Sequence, residues 1–305
     1  MTDTAIPKAE SQWVAVRAQF VKHKGAVAGV ILLALLVAFV LIGPLIWRVD
    51  GTFVEPDTAK MFKLRNQGPS WAHPLGTDQL GRDMLARLMS GGRISLSVGL
   101  VAMMLAVTLG TFVGVLAGYF RRLDGPLMRL TDAFLAMPLL PLLLVLMVLF
   151  KDQLSRTLGV EFGTFLLIAV AIGATAWMPT ARIVRGEVLS LKTREFVLAS
   201  QSIGARSHRI ILRHLLPNVV SPVMVAATLC VAEAIIIESV LSFLGQGFPS
   251  DFPTWGSLLH EGLDDLRKYP MRVLMPGLAI SLTVLSVNYI GDGLRDALDP
   301  RIRGR

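Results

Sequence analysis

Six stretches of this chain are apolar and long enough to cross a bilayer: 26–47, 94–118, 129–150, 164–182, 219–244 and 273–292. Crossing about 30 Å of hydrocarbon takes roughly 20 helical residues. Lipid offers no partner for a bare N–H or C=O, so each stretch must satisfy its own backbone. Strands of a barrel would be about half as long and would alternate polar with apolar side chains. These runs do not alternate, so the expected fold is an all-α membrane protein with six transmembrane helices. Only 17% of residues are charged, against about 25% in soluble domains.

The segments between the runs fall on two faces. One gathers 1–25, 119–129, 182–218 and 293–305, with eighteen Lys and Arg and, counting Asp132 and Asp292 at its borders, nine Asp and Glu. The other gathers 48–93, 151–163 and 245–272, with twelve and eleven. Positive loops stay inside, so the N-terminal tail 1–25 and the C-terminal tail 293–305 are both expected in the cytoplasm. Orientation in a bilayer also accounts for the net charge of +8. The basic residues flank apolar spans rather than forming one patch, so nucleic acid is not an expected partner. The first twenty-five residues are polar and the first run is longer than an h-region, so 26–47 reads as an uncleaved anchor. Cys230 is the only cysteine and lies in an apolar run. It reads as a packing residue, and neither an internal disulfide nor a cysteine-based metal site is expected.

The external segment 48–93 is long. Trp47, Phe53 and Trp71 suit a membrane interface. Leu80, Met84, Leu85 and Leu88 recur at helical spacing, with Arg82, Asp83 and Arg87 on other faces. That spacing predicts a short amphipathic helix lying on the membrane or on the first span. Asp78 would cap it and Gly91-Gly92 would end it. Gly76 and Gly81 suit tight turns. Asp78, Arg82 and Asp83 read either as a structural turn lock or as a contact for an external partner.

On the opposite face, 183–218 is polar and basic yet helix-prone. Glu195 to Ile203 reads as a helix with Phe196, Ala199 and Ile203 on one face. Gly204 takes the C′ position, where a left-handed residue is needed. Ser207 restarts a helix whose Ile210, Ile211, Leu215 and Leu216 form an apolar stripe beside Arg206, Arg209 and Arg213. Pro217 ends that helix or begins the next span. Helix, glycine turn and helix make a compact knob. It is either a handle for a partner protein, or a solvated basic loop or lipid-surface helix.

The knob resembles the EAA loop of bacterial ABC importer permeases, whose pattern is Glu-Ala-Ala, three residues, Gly, nine residues, Ile-x-Leu-Pro. Here nine residues separate Gly204 from His214-Leu215-Leu216-Pro217. Leu198-Ala199-Ser200 stands where Glu-Ala-Ala is expected, and Glu195 lies one turn earlier. Three further segments are similar to the C-type permeases of dipeptide and oligopeptide (peptide/nickel) importers. They are His73-Pro74-Leu75-Gly76-Thr77-Asp78-Gln79-Leu80-Gly81-Arg82-Asp83, Leu241-Ser242-Phe243-Leu244-Gly245 with Pro253-Thr254-Trp255-Gly256, and Ile290-Gly291-Asp292-Gly293-Leu294-Arg295-Asp296-Ala297-Leu298-Asp299-Pro300. The resemblance runs from Gly25 onward. It implies a type I permease fold in the bacterial inner membrane, with 94–292 as the permease core. It also implies a second homologous permease, two cytoplasmic ATPase subunits that bind ATP and Mg, an external solute-binding protein and a peptide substrate. Coupling to the ATPases would rest on Arg194, Glu195, Phe196, Ala199, Ser200, Ile203, Gly204, Arg206 and Pro217.

Glu233 and Glu238 are the acids deep in an apolar run. They stand five apart, roughly 140° round a helix, so they need not share a face. Each is either an interhelical hydrogen-bonding group or a lining of the translocation path that meets a peptide's amino terminus. Pro138 and Pro141 interrupt the third span, and Pro179 and Pro222 the fourth and fifth. Such kinks either open a path or are inert. Arg129 and Asp132, three apart, are placed to pair, as are Asp292 and Arg295. Gly291-Asp292-Gly293 is expected to end the sixth helix.

The five histidines are scattered, with no metal-binding spacing. There is no Walker-type phosphate loop and no Gly-x-Ser-x-Gly. The chain is therefore expected to be non-catalytic and to carry no cofactor of its own. Rival readings are the same machinery serving nickel or another small solute, a proton-coupled secondary transporter using Glu233 or Glu238, and, with little support, an ion channel or intramembrane enzyme.

Overall fold

The computed structural model describes residues 12–298. These form α1 (Gln12–Lys22), α2 (Lys24–Ile46), α3 (Thr58–Leu64), α4 (Met84–Tyr119), α5 (Arg121–Leu135), α6 (Leu139–Leu158) and α7 (Val160–Thr175). There follow α8 (Met178–Leu191), α9 (Glu195–Ser202), α10 (Ser207–Ile210), a π-helical turn (Ile211–Leu215), α11 (Leu216–Phe243), α12 (Trp255–Leu263) and α13 (Met271–Leu298). No strand occurs among the described residues.

Four helices are long and apolar enough to span a membrane: α2, α4, the continuous run Ser207–Phe243, and α13. Two bent pairs, α5 with α6 and α7 with α8, bring the number to six if each is one span. The all-helical expectation therefore holds, but several boundaries move.

The stretch 129–150 is not one helix. α5 carries Arg121, Arg122, Asp124, Arg129 and Asp132, too many charges to lie in lipid, and it turns through 84° into α6. The turn falls at Met137-Pro138, because a residue before proline is pushed out of helical geometry. Pro138 is the N-cap of α6 and Pro141 sits in its first turn, where a missing N–H does no harm. The fourth span bends by 41° at Ala176-Trp177, with Pro179 in the first turn of α8. Pro222 lies inside α11, which continues through it.

The region 183–218 is mostly helix, with α9 ending before Gly204 and a helix restarting at Ser207 as the sequence leads one to expect. α8 runs on to Leu191, and the fifth span begins at Ser207. α11 starts at Leu216-Pro217, as expected, although the helical run is continuous from Ser207 through Pro217. Pro217 has no N–H for the carbonyl of Arg213, and the preceding turn widens so that Leu216 N–H reaches Ile211 O. α13 likewise passes through Gly291-Asp292-Gly293 without ending there. A Cβ at Gly291 would stand 2.5 Å from Thr228 Oγ1, and one at Gly293 would collide with Ala26. These glycines admit neighbouring helices rather than break their own. Asp299 and Pro300 of that motif lie outside the described residues.

The bundle is built on α4. Gly110, Gly114 and Gly118, four apart, line the face that meets α8. A Cβ on Gly114 would stand 2.6 Å from Ala181 O and 2.7 Å from Val184 Cβ, and one on Gly118 2.7 Å from Val188 Cβ. Small residues at this spacing let two backbones approach closely in lipid. On other faces α4 packs against α11, α7 and α2. α2 pairs with α13, and His23 at the start of α2 stands 3.7 Å from Asp296.

The amphipathic helix expected within 48–93 is absent as such. Residues 76–83 form tight turns, with Gly76 and Gly81 at φ of 76° and 78°, and a bridge joins Thr77 to Asp83. The helix begins at Met84 and continues through Gly91-Gly92 as α4. Asp83, not Asp78, is its N-cap, accepting from Ala86 N–H at 2.7 Å. Gly92 lies against Trp255, whose ring would be 2.7 Å from an added Cβ. Met84 and Leu88 are buried with Val40, Trp255 and Leu258, so this first part of α4 is core rather than membrane surface.

Candidate functional site

At the end of the bundle where α4 finishes at Tyr119 stands the knob. α9 ends at Ile203, and Gly204 follows at φ of 76°. Gly204 N–H donates to Gln201 O at 2.9 Å and Ala205 N–H to Ser200 O at 3.1 Å, which closes a Schellman cap. Val197 is fully buried and joins Val115, Val188, Leu191, Ile210, Leu215 and Val219 in one cluster. Ser200 is also buried. Phe196, Leu198, Ala199 and Ile203 face outward, with Ile203 84% exposed. An exposed isoleucine at the tip of a well-anchored helix is an apolar face without a partner inside the chain.

The knob's base is held firmly. Lys192 Nζ donates to Tyr119 O at 2.6 Å, a cation at the C-terminus of α4. Arg185 Nη2 donates to Asp124 at 2.8 Å, tying α8 to α5. Asp132 pairs with Arg182 rather than with Arg129. Arg194 and Glu195 are exposed at the start of α9. Beyond Gly204, a cleft of about 530 Å³ is lined by Arg206, Arg209, Arg213, His208 and His214 and by no acid. Ser207–Phe243 is 37 residues long, about 55 Å at 1.5 Å per residue. A bilayer with its headgroups takes up roughly 40–45 Å. The surplus lies at the polar start of this run, so the basic cleft and α9 stand clear of lipid.

At the opposite end, the expected trio Asp78, Arg82 and Asp83 belongs to a buried ion cluster. Asp78 accepts from Arg82 Nε at 2.7 Å and from Arg87 Nη1 at 2.6 Å. Arg87 also reaches Glu261 at 2.7 Å and Ser250 O at 3.1 Å. Arg272 Nη1 holds Asp265 at 2.7 Å, and its Nη2 meets Asn66 at 2.9 Å. Asp83 accepts from Trp47 Nε1 at 3.3 Å and stands 2.7 Å from His73 Nδ1. Burial pushes the Asp78 carboxyl up, but the charges of Arg87 and Arg82 and the hydrogen bonds from Arg82 outweigh it and hold it below the ordinary carboxylate range. The cluster ties 48–93 to the segment around α12, so the turn-lock reading fits the geometry. A cleft of about 370 Å³ opens beside it. Glu261 and Arg272 carried no signal in the sequence, because each acquires its role only from a partner far away in the chain. The four-residue glycine spacing on α4 is the sequence signal for the close α4–α8 contact.

Between the two ends, the buried acids part company. Glu238 has no exposed surface and accepts from Ser95 at 2.9 Å and Ser242 at 2.7 Å. It is an interhelical link between α11 and α4, not a lining of a path. Glu233 is exposed. A charged side chain facing lipid at the bilayer centre costs about 2.5–3.5 kcal/mol on insertion scales, which favours a protein or water surrounding for Glu233 over lipid. Pro138 lies at the break of the third span, beside the groove onto which Glu233 opens. Asp292 and Arg295 form no ion pair among the described residues, and no cluster of ligands for a metal is found among them.

Residues 106–304 match the family described as binding-protein-dependent transport system inner membrane component. Residues 11–69 match the N-terminal TM domain of oligopeptide transport permease C. The chain is 37% identical over 297 residues to the oligopeptide transport system permease protein OppC of Bacillus subtilis (strain 168), covering 97% of this chain and 92% of that one. It is 41% identical to the dipeptide transport system permease protein DppC of the same organism, over 92% and 83% of the two chains. It is 39% identical to OppC of Salmonella typhimurium, over 96% and 92%. Its fold is similar to that of a chain from a crystal structure of an amino acid ABC transporter with histidines, with a TM-score of 0.50, 15% identity, and coverage of 70% of this chain and 94% of that one. The chain therefore belongs to the family of binding-protein-dependent transport system inner membrane components, and is a multi-pass protein of the inner membrane.

Proposed function

We propose that this chain is the C-type permease subunit of an ATP-driven importer of di- and oligopeptides. It pairs with a second, similar permease to enclose the path. Two cytoplasmic ATPase subunits supply the ATP and Mg site that this chain lacks, and an external binding protein delivers the peptide. The knob face is the cytoplasmic one, in keeping with its excess of Lys and Arg.

The observation that carries this reading is the exposed apolar edge of α9 on a rigid base beyond the membrane. Seating Phe196 and Ile203 in a groove on an ATPase would gain about 1.5–3 kcal/mol for each side chain fully buried. Arg194, Glu195 and Arg206 surround that edge and would orient it. When ATP closes the ATPase pair, α9 moves with it. The Schellman cap, the buried Val197 and the close packing of α8 on α4 carry that displacement into the bundle. The bundle swings outward-open, takes the peptide, and reverts after hydrolysis. The enclosed Glu238 speaks against a proton carrier at that position, since it has no exposed surface through which a proton could be exchanged.

The test is peptide uptake into proteoliposomes holding both permeases and both ATPases, with binding protein outside the vesicles and nucleotide inside. Uptake is expected to need ATP and every subunit. Uptake driven by a pH gradient in the absence of ATP would replace this reading with the proton-coupled one.

A further inference from the structure

Glu233 lies ten residues before Phe243, about 15 Å along the helix axis, and so within the hydrocarbon layer. It makes no hydrogen bond or ion pair within the described chain. Its carboxylate opens onto a cleft of about 100 Å³. The other walls of that cleft come from the breaks of two spans: Phe134, Met137 and Leu139 from the third, Thr175, Ala176 and Pro179 from the fourth. A broken helix leaves backbone groups without intrahelical partners, and at membrane depth these are tolerated only where protein or water meets them. Two helix breaks and one unpaired acid thus converge on one point of one face. Glu233 is the only ionisable residue of that lining.

Resting on the reading of the chain as a peptide permease, we propose that Glu233 receives the ammonium group of the passing peptide at this cleft. A wall whose one charged group is a carboxylate favours a cation over an anion. The free amino terminus is the cation common to all unmodified peptides, so one acid serves many sequences. Glu233 is in this sense a specificity-determining residue.

The test uses the assembled importer in proteoliposomes, with tri-alanine, N-acetyl-tri-alanine and N-acetyl-Ala-Lys-Ala as probes. Glu233→Gln is expected to raise the half-saturating concentration of tri-alanine about tenfold, as losing a hydrogen bond to a charged group does. It should leave N-acetyl-tri-alanine unchanged, and Glu233→Asp should retain most of the wild-type preference. A parallel loss for N-acetyl-Ala-Lys-Ala would show that a lysine ammonium uses the same site, and no loss would confine the site to the amino terminus. Equal losses for tri-alanine and N-acetyl-tri-alanine would overturn the proposal, as would no loss for either. A second measurement does not depend on how the binding protein treats acetylated peptides. In Glu233→Cys with Cys230→Ala, an anionic sulfonatoethyl thiol reagent is expected to restore tri-alanine uptake and a cationic trimethylammonium reagent is not. Rescue by both or by neither contradicts the proposal. Failure of the wild-type assembly to take up any peptide with ATP would instead overturn the underlying permease reading.

Discussion

Gly204→Val should leave the chain inserted in the membrane and reduce ATP-driven uptake about tenfold or more. Space is not the obstacle, since a Cβ at Gly204 would meet nothing within 4 Å. The obstacle is the backbone, held at φ of 76°. A β-branched residue in that region costs about 1–3 kcal/mol, and every 1.4 kcal/mol is about a factor of ten in an equilibrium. The chain relieves the strain by opening the Schellman cap, which releases Ala205 from Ser200 and shifts Ile203. Gly204→Asn is the control, because asparagine tolerates the left-handed region. It should keep most of the uptake. If the valine variant transports at the wild-type rate, the knob does not work as a stiff lever.

Arg87→Ala should destabilise the folded chain by about 3 kcal/mol, the lower end of the range for breaking a buried ion pair. The guanidinium is fully buried and contacts Asp78, Glu261 and Ser250 O. Its removal leaves Asp78 and Glu261 with Arg82 alone, at 2.7 and 3.4 Å. The loss comes from leaving charges uncompensated, not from any large net worth of the pair. Asp78→Ala added to Arg87→Ala should therefore cost less than the two single changes together. Denaturant unfolding in detergent measures both. A loss below about 1 kcal/mol would place the cluster with surface ion pairs and remove its role as the tie between 48–93 and α12.

The six apolar runs were legible because lipid enforces helix wherever charge is missing for about twenty residues. The break of the third span was legible in part, since Pro138 is a local signal. Its angle was not, because that depends on α5 lying crosswise to α6. The Gly204 cap was readable from glycine chemistry alone. Gly91-Gly92 and Gly291-Asp292-Gly293 misled for the same reason that Gly204 did not. A glycine that ends a helix and a glycine that admits Trp255 or Ala26 look alike until the neighbour is known. The separate fates of Glu233 and Glu238 followed from helical geometry, but which one faced inward depended on Ser95, 143 residues away from Glu238.

The central claim is that α9 is the contact through which a separate ATPase moves the bundle. Its most direct test is site-specific cross-linking from Ile203→Cys, in a Cys230→Ala background, within the assembled importer. The account predicts a cross-link to an ATPase subunit, with a yield that changes between ATP-bound and nucleotide-free states, and protection of that cysteine from aqueous maleimide. A cysteine that is labelled at the same rate with and without the ATPases, and that forms no cross-link to them, would contradict it.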